Sequence, residues 1–237
     1  MSTIDHKLQA VESTMNAACA AAKRPREAVQ LLAVSKTFPA EAVLEAIAAG
    51  QLAFGENYLQ EALDKIAAVA AAVPEARVEW HFIGPIQANK TRAIASHFDW
   101  VHSVDRAKII TRLNDQRPTE LAPLNICLQV NINDEASKAG ASQDEIAQLA
   151  ELALQQPRLR LRGLMAIPAN TTDNQQQRHN FAAVRSIFTD LQTQFPSAAL
   201  DTLSMGMSGD MEAAIAEGAT LVRIGSDIFG PRPSPSR

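Results

Sequence analysis

The chain has 237 residues, 46% hydrophobic and 20% charged, with a formal net charge of −4 at neutral pH. That is an ordinary globular composition with material for one sizeable core, and it offers no basic face for nucleic acid or an anionic membrane. The two cysteines, Cys19 and Cys127, fall in an alanine-rich helical pattern and an apolar run, so they read as core thiols of a reducing compartment; a polar start and no apolar stretch of membrane-spanning length point to the cytoplasm.

The spacing of Ile4, Leu8, Val11, Met15 and Ala18 predicts a helix over residues 4–22, stopped by Lys23-Arg24-Pro25. Apolar runs at 31–35, 52–54, 78–83, 100–103, 124–130, 159–165, 200–204 and 220–224 read as buried parallel strands. Helical patterns follow them at 40–49, 58–72, 87–96, 106–113, 145–154, 175–194 and 210–217, with a short turn near 228–229. Gly50 fits a helix C-cap, and the Pro/Ser-rich stretch 231–237 reads as a disordered tail. Eight strand–helix units behind one extra N-terminal helix predict an α/β protein, a single (β/α)8 TIM barrel over 1–230. An open doubly wound sheet is the competitor. It usually has fewer strands and a glycine-rich turn after the first, and neither GxGxxG nor a P-loop occurs here.

In a barrel, the carboxyl ends of all strands converge on one mouth. The polar residues there are Lys36, Asn57, His81, Ser103, Asn131 with Asn133, Ser204, and Arg223 with Gly225 and Ser226, beside Met165. Lys36 has an apolar strand behind it, an environment that lowers an amine's pKa and makes it a nucleophile toward aldehydes. The plainer reading is a rim lysine in water. Carboxylate pairs and His/Asp metal constellations are missing from the set, which argues against glycosidase and metal chemistry. The segments 205–210, holding Met205, Met207 and Ser208, and Gly225-Ser226 combine glycine, serine and a helix start where barrels bind phosphate; otherwise they are tight turns with capping residues. A nucleophilic lysine on strand one, a phosphate cradle after strands seven and eight, and an arginine on strand eight point to pyridoxal 5′-phosphate (PLP).

Ala33-Val34-Ser35-Lys36-Thr37, Phe54-Gly55-Glu56-Asn57, Trp80-His81-Phe82-Ile83-Gly84, Gln87-Ala88-Asn89-Lys90, Ser204-Met205-Gly206-Met207-Ser208-Gly209-Asp210 and Val222-Arg223-Ile224-Gly225 carry a resemblance in their order along the chain. They resemble the signature segments of the pyridoxal phosphate homeostasis protein family, itself similar to the N-terminal barrel domain of alanine racemase. Ile86 stands where leucine is expected, and Phe38 where a polar residue is common. The resemblance implies that Lys36 holds PLP as a covalent internal aldimine, a Schiff base. It implies that Ser208, Gly225 and Ser226 take the phosphate, that Asn57 and His81 line the ring's surroundings, and that Met205 or Met207 packs on it. Ser204 opens the same segment and belongs to the cofactor-binding set. Arg223 would face the pyridine nitrogen, where an always-charged guanidinium opposes protonation and weakens the ring as an electron sink.

A barrel racemase needs acid/base groups on both faces of its substrate. The lone tyrosine, Tyr58, starts a helix after strand two and reads as a packing or rim residue. The expectation is therefore a monomeric, cytoplasmic PLP carrier or regulator without efficient turnover. It would buffer or deliver PLP, with effects on amino-acid and keto-acid balance. Its partners would be PLP, other B6 vitamers and PLP-dependent apo-enzymes. The alternative is a weak PLP-dependent amino-acid racemase, and a binding module without cofactor is the third reading. Lys138, in the loop after strand five, is the rival amine.

Overall fold

Eight largely buried strands pair in parallel and in sequence order until β8 closes back on β1. They are β1 (Gln30–Val34), β2 (Ala53–Glu56), β3 (Glu79–Phe82), β4 (Trp100–Val104), β5 (Leu124–Gln129), β6 (Leu159–Met165), β7 (Thr202–Ser204) and β8 (Leu221–Ile224). This computed structural model describes residues 2–132 and 139–231, so Asn133, Lys138 and all but the first residue of the expected tail lie outside the described residues. The helices are α1 (Thr3–Ala21), α2 (Ala40–Ala48), α3 (Leu59–Ala72), α4 (Thr91–His97), α5 (Ala107–Gln116), α6 (Gln143–Leu154), α7 (Asn174–Gln194), α8 (Met211–Ala216) and α9 (Ser226–Phe229). The architecture is the (β/α)8 barrel with its extra N-terminal helix, α1, packed on α2, α8 and α9.

Period-two alternation divides the core. Outward strand residues such as Leu31, Ala33, Phe54, Trp80 and Val101 join helix residues such as Val43, Ala62 and Ile110 in one large cluster. Two small clusters stand apart from it: Leu32, Ala53 and Leu221 with Ile83, and Trp100, Cys127 and Met165. Lys36 continues the parity of Leu32 and Val34, which turns it toward the mouth.

Element ends differ from the sequence expectation where local hydrogen bonds decide them. The helix expected from residue 87 begins as a 3-10 turn at Ala88–Lys90 and becomes α4 only at Thr91. α5 runs three residues beyond the expected 113, and the Arg117 guanidinium beyond it donates to the carbonyls of Ala95, Phe98 and Ala122. A capping box between Ser142 and Glu145 starts α6 at Gln143.

Candidate functional site

Lys36 follows β1 and is held from behind by a buried polar cluster. Lys65 on α3 is 4% exposed. Its Nζ donates to the Ser35 carbonyl (2.7 Å), Glu56 Oε1 (2.7 Å) and Glu61 Oε1 (2.6 Å). The Ser35 hydroxyl donates to Glu56 Oε1 at 2.6 Å, and the Thr37 N–H donates to Glu61 Oε1 at 2.6 Å. Both residues flanking Lys36 are therefore anchored to α3 and β2. Thr37 sits at φ +70°, a left-handed conformation that a β-branched residue adopts only under such constraint. Burial pushes the Glu56 carboxyl up, against the pull of Lys65 and Ser35. Lys65, Glu56 and Glu61 escape a sequence reading. An i,i+4 Glu–Lys pair looks like a solvated helix face, and only the tertiary packing of α3 on β1 and β2 buries it.

In front of Lys36 lies a cavity of about 230 Å³ at the carboxyl ends of the strands. Lys36, Asn57, Met207, Ser208, Arg223, Gly225 and Ser226 line it together, with Val34, Phe38, Ile83, Ile167, Gly209 and Gly230 completing the wall. The loops after β7 and β8 meet there, Ser226 Oγ lying 3.3 Å from Ser208 Oγ. The first loop is shaped by Gly206 (φ +97°), where a Cβ would come within 2.6 Å of Ala214, and by Asp210, which accepts from the Met207 N–H at 2.6 Å. Burial raises the Asp210 carboxyl even so. Gly84 lets β3's end pass against Asn57, since a Cβ there would collide with the Asn57 carbonyl. Asn57 Oδ1 is buried and accepts no hydrogen bond among the described residues.

The floor is Arg223, 4% exposed in β8. Its Nη1 donates to the Ser204 carbonyl (2.6 Å) and hydroxyl (2.8 Å), and its Nη2 to the Ala166 carbonyl (3.0 Å). Burial draws its pKa down to about 10, which leaves it a cation at neutral pH.

Three residues expected in the site stand elsewhere. His81 does not line the cavity: β3 ends at Phe82, so Ile83 takes the inward position at the mouth and His81 the one below. Ser204 lies beneath the floor as Arg223's acceptor. Met205 has the opposite parity and is wholly buried in the cluster between barrel and helices. Of the other strand-end residues, Ser103 donates to the Gly84 carbonyl and Met165 packs in the interior with Trp100 and Cys127. The Asn131 backbone bonds to Ala141, and Tyr58 caps α3 from an exposed position.

A cavity walled by a lysine, a buried arginine and two serine loops has the donor set for a phosphorylated aldehyde, and the orphaned Asn57 oxygen fits a hydrogen-bond donor on such a ligand. The family model for the N-terminal domain of alanine racemase matches residues 7–233. A pyridoxal phosphate homeostasis protein of Vibrio alginolyticus is 54% identical over 98% of this chain and 99% of its own length. One from Escherichia coli K12 is 52% identical, covering 98% of each. Among solved structures, PipY of Synechococcus elongatus with PLP bound is 37% identical with a TM-score of 0.84, over 96% of this chain and 100% of that one. Alanine racemase from Corynebacterium glutamicum, at 16% identity and a TM-score of 0.65, covers 97% of this chain and 63% of that one, and shares the fold alone. Five of the six signature segments contribute residues to the wall of one cavity, and relatives share half the residues from end to end; the chain belongs to the pyridoxal phosphate homeostasis protein family.

Proposed function

We propose that this protein binds PLP in the cavity at the barrel mouth, as a Schiff base on Lys36, and buffers or delivers the cofactor instead of using it in rapid catalysis. One observation carries the reading: the only lysine among the described wall residues shares a cavity with the buried Arg223 and with the two serine loops that meet at 3.3 Å. PLP bound there supplies an electrophilic carbon and a conjugated ring. The chain's residues do the rest. Ser208, Gly225 and Ser226 hold the phosphate at the two loops where barrels bind one. Phe38, Ile83 and Met207 give apolar walls, and Asn57 offers its free oxygen to the ring's surroundings. Arg223, still charged, faces the ring nitrogen and keeps it unprotonated, which weakens the ring's ability to stabilise a carbanion.

Among the described residues lining the cavity, Lys36 and Arg223 are the ionisable ones, and Arg223 is committed to three carbonyl and hydroxyl oxygens. Tyr58, 54% exposed at the start of α3, does not line it. Racemisation needs a second acid/base group opposite the lysine, and lacking one costs about 10²–10⁴-fold in rate. Ile167 and Met207 are half exposed at the mouth, so water and incoming amines reach the site. A monomer in the cytoplasm, exchanging PLP and related B6 vitamers with apo-enzymes that need them, accords with this open mouth. The weak-racemase reading is separated by solvent-deuterium incorporation at Cα of common amino acids. The carrier predicts exchange well below about 1 s⁻¹, the low end of ordinary enzyme turnover; exchange at or above that rate would establish the racemase.

A further inference from the structure

Beneath Arg223 a line of buried polar side chains crosses the barrel to its opposite face. Ser204 Oγ lies 2.7 Å from His102 Nδ1. His102 Nε2 lies 2.9 Å from His81 Nδ1, and His81 Nε2 lies 2.8 Å from Glu79 Oε1. Both histidines and Ser204 are fully buried, whereas the Glu79 side chain, at the first residue of β3, is 40% exposed at the amino-terminal face. There Glu79 also accepts from Gln30 Nε2 at 3.2 Å.

The two ends of this line decide its direction. A guanidinium only donates and an ionised carboxylate only accepts. With Glu79 ionised, His81 Nε2 carries the hydrogen and donates. Neutral His81 then accepts at Nδ1, so His102 donates from Nε2 and accepts at Nδ1. The Ser204 hydroxyl must donate to that nitrogen, which leaves its lone pairs for Arg223. Every donor points one way, from the site to the far face. An extra proton on His81 would reverse both imidazole bonds and leave the Ser204 hydrogen without an acceptor in the line. Glu79 is held at about 2 by the His81 hydrogen bond, and burial keeps His102 well below the ordinary histidine range, so the Glu79 carboxylate and a neutral His102 persist at neutral pH. Other ionisable groups facing the line are Asp99 beside Glu79 and His81, and Asp210 and Cys127 beside Arg223; the Cys127 thiol, pushed up to about 12, adds no charge.

We propose that Glu79, His81 and His102 are positioning residues for the PLP site: acting through Ser204, they fix Arg223 beneath the cavity and couple its orientation to a carboxylate on the opposite face of the barrel. The role at PLP rests on the binding reading above, but the direction of the line does not. Glu79→Gln tests it, because a carboxamide both donates and accepts and so permits either direction. Long-range 1H–15N correlation spectra of the full chain without PLP, at neutral pH, should show His81 and His102 as neutral Nε2–H tautomers. In Glu79→Gln a fraction of molecules with both rings in the Nδ1–H form should appear together, a fraction limited by the Arg223 end, which still favours the original direction. After loading with PLP, release into a trapping buffer should be about 3- to 10-fold faster in Glu79→Gln, as expected for loosening one charge-assisted hydrogen bond. Ser204→Ala should speed release equally while leaving the His81 tautomer unchanged, which a general loss of folding would not do. Imidazolium or Nδ1–H signals in the wild type overturn the proposal. So does release from both variants at the wild-type rate. If the wild type takes up no PLP, the binding reading fails, while the tautomers still decide the line's direction.

Discussion

Arg223 has no room for a change of sign. Its guanidinium meets the carbonyl oxygens of Ser204 and Ala166, and a carboxylate in Arg223→Glu would face both with no donor. That variant should lose more than about 3 kcal/mol in urea unfolding, the scale for an uncompensated buried charge. A loss under about 1 kcal/mol would mean that the arginine is not committed to those oxygens. Gly206 is equally constrained. Its left-handed backbone and the approach of Ala214 predict that Gly206→Ala displaces the 205–210 loop and weakens PLP retention, read by equilibrium dialysis. Retention at the wild-type level would separate that loop from the phosphate. The burial of Arg223 was legible in its apolar run, since a charged residue rarely stands there without fixed partners. His81 has the inward parity but stands one layer too deep, because strand ends are uncertain by a residue or two and that decides which inward side chain reaches the mouth.

At the level of elements, α3 and β2 clamp the segment that presents Lys36. Replacing Lys65 with Met keeps the volume but leaves Glu56 wholly buried without its counter-ion and removes one of the donors to the Ser35 carbonyl and to Glu61. The expected cost is about 3–5 kcal/mol by urea denaturation, with Thr37 free to leave its left-handed conformation. A neutral result would show that the cluster is incidental. The strand–helix alternation was readable throughout the chain, because parallel strands buried on both faces stand out as apolar runs between amphipathic helices. The clamp was not. Glu61 and Lys65 have the spacing of a surface pair, and nothing local to α3 says that β1 and β2 lie against them.

The whole molecule joins its two faces through the interior, and acid should expose that link. Glu79 titrates near 2 in the folded protein, against about 4.3 in an unfolded chain. Its contribution to stability is thus complete above the unfolded value and fades as the pH falls toward 2. The stability gap between wild type and Glu79→Gln should narrow from about pH 6 to about pH 2; a gap constant across that range would mean that Glu79 is not held by His81. The central claim concerns the other face, where Lys36 meets the cavity. Incubating the purified protein with PLP, reducing it with borohydride and mapping the peptides by mass spectrometry tests it most directly. The account predicts one phosphopyridoxyl group, on Lys36, lost in Lys36→Ala. A label on Lys90 or Lys138 instead, or none anywhere, would contradict it.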